Sequence, residues 1–387
     1  MNITEFKGLS NKRDPLVSTP AYLKDCSNVD IDNSNIVRRR SGFSLFKNFT
    51  NIQASYTAND NNEAYIIADE NLIKISDMSI ISAGFTKSDY IFDDIERNLF
   101  IYDGSDLKLL SGNTVKSLNI PKCPQPAVSN ISGSLPAGIY QVTAVYRNNN
   151  GLEGSASAPA VIELKPGEGI SIQINQLQDH TVTIYISPPN GRYLYQWGNF
   201  SASSVIWDGP IVQLVSPIDK DNIGANSVPE NCTTMQYHNT RLYFGEYLPN
   251  DNKTVIWFSL PFSYHLYRKN SDYLIIEGEV TNLVEVDGKL IITTHNAIYY
   301  YSDGIITRVA HYGAPKGSVT PSDQYGNTFL YSNYGICFLN EFANLTKEVY
   351  DFPNSFKVHS AIIRQNGFEK MINLLSDSSP AINTFRS

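Results

Sequence analysis

The side chains able to do chemistry are few and poorly grouped. Six histidines, His180, His238, His265, His295, His311 and His359, lie far apart compared with the spacing of metal ligands. His295 falls in an evident hairpin turn and His238 leads into a strand, so turn and capping roles are expected for both. Cys26, Cys123, Cys232 and Cys337 form no Cys-x-x-Cys pair. They read as reduced, structural thiols. No phosphate-binding Gly-rich loop, HExxH or GxSxG is present. Glycoside hydrolysis needs two carboxyls across one bond, and Asp93-Asp94 is the conspicuous pair. Adjacent strand residues point to opposite faces, so this pair is expected to sit on a solvated edge. Ser322-Asp323-Gln324-Tyr325-Gly326-Asn327-Thr328-Phe329 approximates one Asp box, with its spacing off, and reads as a turn into a strand. No catalytic set, metal centre or cofactor is expected.

What remains is charge. Arg38-Arg39-Arg40, with Lys12 and Arg13, could contact a neighbouring subunit or DNA, since guanidinium matches phosphate geometry. A strand edge kept soluble by charge is the plainer reading. Residues 1–48 carry eight Lys/Arg and five Asp/Glu, so this arm is +3 in a chain of net charge −8. The remainder is therefore −11, and an acidic body argues against broad nucleic-acid binding.

The elements that would position these groups are β-strands. Of 387 residues, 42% are hydrophobic and only 18% charged, which describes a globular chain. Its 24 Tyr and 18 Phe favour half-buried pleated surfaces. The opening residues lack an apolar run, and no segment approaches the roughly 20 apolar residues of a membrane span, so neither signal peptide nor membrane segment is expected.

Around Leu290 the chain reads Asp287-Gly288, a β-rich run, a His295-Asn296 turn, a second run through Tyr299-Tyr300-Tyr301, then Asp303-Gly304. Asp-Gly suits turns that require positive φ, so this is a β-meander. In a meander, alternate tyrosines pack between sheets. Similar phrases recur at anchors Tyr65, Leu99, Leu242, Leu290, Phe329 and Met371, in steps of 34, 143, 48, 39 and 42. All but one step match a four-stranded propeller blade of about 40 residues. The sequence thus predicts an all-β fold, a propeller of about six blades. The long step is explained by an inserted β-sandwich at 123–210, entered through Pro121 and the stiff 122–126 stretch. The expected organisation is an arm and first strand at 1–48, propeller at 49–122, the insert, and propeller again at 211–387; the alternative is three unrelated β domains in a row, and the repeat phrase on both sides of the insert favours the first. The insert, with Leu135-Pro136-Ala137-Gly138-Ile139-Tyr140 and alternation at Ile170–Ile174, resembles a fibronectin type III-like domain in pattern.

Two stretches resemble a known family. The arm runs Phe6-Lys7-Gly8-Leu9-Ser10-Asn11, Asp14-Pro15, Cys26-Ser27-Asn28-Val29-Asp30-Ile31-Asp32, and Val37-Arg38-Arg39-Arg40-Ser41-Gly42-Phe43. The second stretch is Tyr237-His238-Asn239-Thr240-Arg241-Leu242-Tyr243 with Val255-Ile256-Trp257-Phe258-Ser259 and Pro261-Phe262. Together they resemble the nozzle or tail-hub propeller proteins of short-tailed bacteriophages. Thr240 stands where that family has Gly. The resemblance implies a virion tail protein assembled in the host cytoplasm. It further implies a homo-oligomeric ring, taken as hexameric, that contacts other tail proteins and lets double-stranded DNA pass without sequence specificity. A carbohydrate-binding receptor module with exposed aromatics is the alternative, and a glycosidase the third reading.

Overall fold

The computed structural model describes residues 8–12, 22–24, 27, 29–31, 36–39, 44–58, 63–95, 97–209, 216–218, 223–320, 325–332, 334–346, 357–365, 368–376 and 383–384. Among these the fold is all-β, with no helix. The arm holds a parallel pair, β1 (Gly8–Leu9) with β2 (Tyr22–Leu23), and an antiparallel pair, β3 (Val29–Ile31) with β4 (Val37–Arg39).

Two four-stranded antiparallel meanders follow. The first sheet is β5 (Ile52–Thr57), β6 (Ala64–Ala68), β7 (Asn71–Lys74) and β8 (Ile80–Ala83). The second is β9 (Ile91–Ile95), β10 (Asn98–Tyr102), β11 (Leu107–Ser111) and β12 (Thr114–Ser117). Seven strands come next: β13 (Ala127–Ser132), β14 (Gly138–Asn148), β15 (Ala160–Leu164), β16 (Glu168–Gln173), β17 (His180–Ile186), β18 (Tyr195–Phe200) and β19 (Ser204–Trp207). They form two sheets, ordered β13-β16-β19 and β15-β14-β17-β18. Alternate residues of both face one core, with Tyr140, Val142 and Ala144 from one sheet and Ile170, Ile172 and Trp207 from the other.

Beyond it lies a third sheet, of β20 (Cys232–His238), β21 (Arg241–Leu248), β22 (Lys253–Leu260), β23 (Ser263–Tyr267) and β24 (Tyr273–Glu277). Strand β22 serves both β23 and β24. The fourth sheet is β25 (Val280–Val286), β26 (Lys289–Thr294), β27 (Ile298–Ser302) and β28 (Ile305–Ala310). The fifth is β29 (Phe329–Ser332), β30 (Gly335–Phe338) and β31 (Ala343–Asn344). The sixth is β32 (Lys357–Gln365), β33 (Phe368–Ser376) and β34 (Asn383–Thr384).

Local chemistry accounts for the turns. Asp287-Gly288 and Asp303-Gly304 have positive φ at both residues, as a two-residue hairpin with right-twisted strands requires. Thr294 caps the His295-Asn296 turn, its hydroxyl accepting the N–H groups of Asn296 and Ala297. The repeat anchors Tyr65, Leu99, Leu242, Leu290 and Met371 each fall on the second strand of their sheet, and Phe329 on the first of the fifth. In the first four sheets apolar clusters cover the second strand on both faces, so it reads as an apolar run.

Each sheet shares a core with the next. Ile67 and Leu72 meet Leu99 and Ile101; Phe100 and Tyr102 meet Met235, Phe244 and Tyr267; Tyr243 and Ile256 meet Leu290 and Ile292. Ile291 and Ile298 then meet Leu330 and Cys337, and Tyr331 meets Val358 and Leu375. The three tyrosines of β27 divide as alternation requires: Tyr299 and Tyr301 pack towards the third sheet, Tyr300 towards the fifth. Full burial of each such large side chain contributes roughly 1.5–3 kcal/mol. Cys123, Cys232 and Cys337 are buried free thiols; burial pushes the first two up to about 12, which keeps them protonated.

Candidate functional site

Three of the groups singled out as chemical, Asp93, Asp94 and His238, sit where successive sheets meet. Four first strands, β5, β9, β20 and β25, are joined side chain to side chain. The expectation of a solvated edge for Asp93-Asp94 is corrected here: Asp93 is only 5% exposed. Strand β9 is an end strand of its own sheet, but β20 of the third sheet lies against it. The alternation itself holds. Asp94, opposite Leu99, faces the first sheet and accepts the Tyr56 hydroxyl. Asp93, opposite Phe100, faces the third sheet.

Asp93 accepts the backbone N–H of Tyr237 and, at 3.3–3.4 Å, the side-chain amide of Gln236. The Asp94 N–H adds a bond of 3.0 Å. Burial raises the Asp93 carboxyl well above the usual carboxylate range; the Tyr237 N–H opposes this, while the nearby Asp94 and Glu285 carboxylates add to it. At the next residue of β20, His238 Nδ1 lies 3.0 Å from Glu285 Oε2 on β25. His238 ends β20 and precedes β21 across the Asn239-Thr240 turn, and it is buried. Beyond β25 the band continues through neutral groups. Asn282 donates to Pro315 O and accepts Gly317 N–H, each at 2.9 Å, and Ser360 of β32 donates to Ser318 O at 3.0 Å.

A buried carboxyl group whose oxygens already take several N–H donors fixes the spacing of two sheets, and each satisfied bond contributes about 0.5–1.5 kcal/mol. It is not poised as a nucleophile. Among the described residues, no group of three or more His, Cys, Asp or Glu could hold a metal ion. His265 of β23 makes a different junction. Its Nε2 lies 2.7 Å from the carbonyl of Glu153, in the loop after β14, and burial pulls its pKa below the ordinary value.

The charged residues expected to touch a neighbour or DNA lie elsewhere. Lys12 follows β1 and is exposed. Arg38 and Arg39 are exposed on β4, opposite Asp30 and Val29. Arg13 and Arg40 lie outside the described residues, as do Cys26 and Ser322–Gln324 of the single Asp box. None of the charged residues enters the band. Tyr56, Gln236, Tyr237 and Glu285 do; of these, sequence reading named only Tyr237, as part of the 237–243 stretch. The available signal was polar residues on strands that precede the apolar second strand of each repeat.

No protein-family model and no curated protein sequence matches the chain. Among solved structures, the extracellular domain of BT4673 from B. thetaiotaomicron is similar at 9% identity and a TM-score of 0.33, over 91% of this chain; the match spans 39% of that one's length. Hsv2 from Kluyveromyces lactis is similar at 8% identity and a TM-score of 0.31, over 84% of this chain and 90% of the other. The β-propeller domain of the Trilobed protease from Pyrococcus furiosus matches 77% of this chain and 83% of its own length, at 11% identity and a TM-score of 0.21. Among the described residues, no helix is long and apolar enough to cross a membrane.

Proposed function

We propose that this chain is a non-enzymatic structural protein of a short-tailed bacteriophage tail, of the nozzle or hub type. In this reading it is a six-bladed propeller, interrupted after its second blade by a fibronectin type III-like sandwich. One observation carries it: six antiparallel sheets follow in chain order, each sharing an apolar core with the next, and a two-sheet unit with its own core lies between the second and third. Blades cannot bury both faces alone, so consecutive stacking of this kind supports a ring of blades. The Tyr140 hydroxyl donates to Pro136 O at 2.7 Å, a closure like the tyrosine corner of such sandwiches. It departs from that pattern in placing the tyrosine on the second strand of seven.

The tail assignment rests on the resemblance of the 6–43 and 237–262 stretches. The band supports a scaffold, because its carboxylates are used to hold sheets together. Copies form a ring, and the acidic body suits DNA that must pass without sticking. Gold-labelled antibody against the chain should decorate the tails of intact virions in electron micrographs. Particles free of the protein, or label confined to host cells, would remove the assignment.

A further inference from the structure

A ring of identical copies needs a heterologous contact: one patch on each copy fits a different patch on the next. Two complementary features stand out on this molecule. The first is the segment Ser44–Asn48. Leu45 and Phe46 are consecutive and are 76% and 72% exposed. The segment belongs to no strand, and among the described residues its backbone makes no hydrogen bond. It is nevertheless tethered. Phe49 packs on Ile66, Ala68 and Ile73, Lys47 Nζ lies 5.4 Å from the Phe49 ring centroid, and Asn51 N–H donates to Asp69 at 2.9 Å. Residues 36–52 hold four basic and no acidic residues, which leaves 26 basic against 38 acidic elsewhere, a net −12.

The second feature is β24. It pairs with β22 on one side and with no described strand on the other. Its outward face alternates Tyr273, 39% exposed, Ile275, 52% exposed, and the exposed Glu277. The outer strands β8, β12, β28, β31 and β34 carry no carboxylate, and β12 and β28 carry Lys116 and Arg308. Among the described last strands of the six sheets, only β24 carries a carboxylate, with Glu279 beside it; the edge strand β15 of the two-sheet unit carries Glu163.

We propose that Ser44–Asn48 of one copy adds as an extra strand to β24 of the next copy; this rests on the ring reading above. Unpaired backbone meets unpaired backbone, the usual basis of strand addition. Leu45 and Lys47 share one face of an extended segment, as Ile275 and Glu277 do, so an apolar pair and an ion pair form side by side. Phe46 turns to the opposite face, that of Leu274 and Ile276.

The test is a photoreactive benzoylphenylalanine in place of Phe46, in a mixture of isotopically light and heavy full-length chains. Crosslinks between light and heavy chains should map to residues 273–279. Leu45→Ser with Phe46→Ser should weaken self-association by at least roughly tenfold in sedimentation, with thermal unfolding unchanged. Lys47→Glu should weaken it too, and adding Glu277→Lys should restore it. Should the double-serine variant fail to fold, the crosslink alone decides. Crosslinks within one chain, crosslinks outside 273–279, undiminished association of the variants, or a wild type that stays monomeric would overturn the inference. Capture of the segment by duplex DNA or anionic vesicles, without crosslinks between copies, would also overturn it. Antibody labelling of virions reads the tail assignment separately, so either idea can fail alone.

Discussion

Replacing Asp93 tests whether the first-strand band holds the second and third sheets together. Asp93→Ala leaves the Tyr237 N–H without its acceptor in a buried site, while the Gln236 amide keeps only the Tyr237 carbonyl. An unsatisfied buried donor costs about 1–3 kcal/mol, and the variant should lose about that much. That is a large share of the roughly 5–15 kcal/mol by which domains are stable. Asp93→Asn keeps the size and one acceptor oxygen and should lose about 1 kcal/mol or less at neutral pH. Acidity separates the two effects. Burial raises the folded carboxyl well above its ordinary 3.8, so the folded state holds the proton more tightly than the unfolded chain. The contribution of Asp93 is therefore fully present below pH 3.8 and is lost as pH rises through the folded value. Asparagine does not titrate, so Asp93→Asn should gain on wild type by up to about 1.4 kcal/mol for each pH unit within that window. Urea unfolding of wild type and both variants from about pH 4 upwards measures this directly. If Asn costs as much as Ala at neutral pH, or the gap between Asn and wild type ignores pH, the reasoning is wrong.

Other consequences follow from single sites. Thr240, β-branched, holds a φ of 66° beside Asn239 at 45°; Thr240→Gly should raise stability by about 1 kcal/mol, seen as a higher melting temperature. His265 is held neutral by burial, so its contribution is present above its ordinary 6.5 and is lost as pH falls through the lowered value. Wild type should therefore lose more stability than His265→Gln when acidified from neutral to about pH 5, read by denaturant midpoints. Residues 119–218, expressed alone, should unfold cooperatively, because Ile120, Cys123 and Ile218 belong to cores built from β14–β19 and their flanks; a molten spectrum would show that docking on β23 is required.

Local chemistry made the β-rich character, the turns and the repeat readable. Asp287-Gly288 and Asp303-Gly304 fix their hairpins because positive φ is a property of two residues and needs no distant partner. Alternation along Tyr299-Tyr300-Tyr301 and Asp93-Asp94 placed each side chain on its face for the same reason. The candidate site was legible only in fragments. The Arg38–Arg40 run drew attention because charge is visible residue by residue, while Tyr56 and Gln236 look ordinary in their own strands.

What lay beyond the sequence was the identity of each facing surface. Asp93 was expected at a solvated edge because adjacent strand residues point to opposite faces; it is buried because β20, with Tyr237 lying 144 residues later in the chain, covers it. His238 likewise gains Glu285 from another sheet, 47 residues on. Strand period, turn type and face are set by neighbours in the chain, so the sequence by itself determines them. Burial, proton affinity and hydrogen-bond partners depend on which sheet packs on which, and only the tertiary structure decides that, because no local rule orders contacts across such distances.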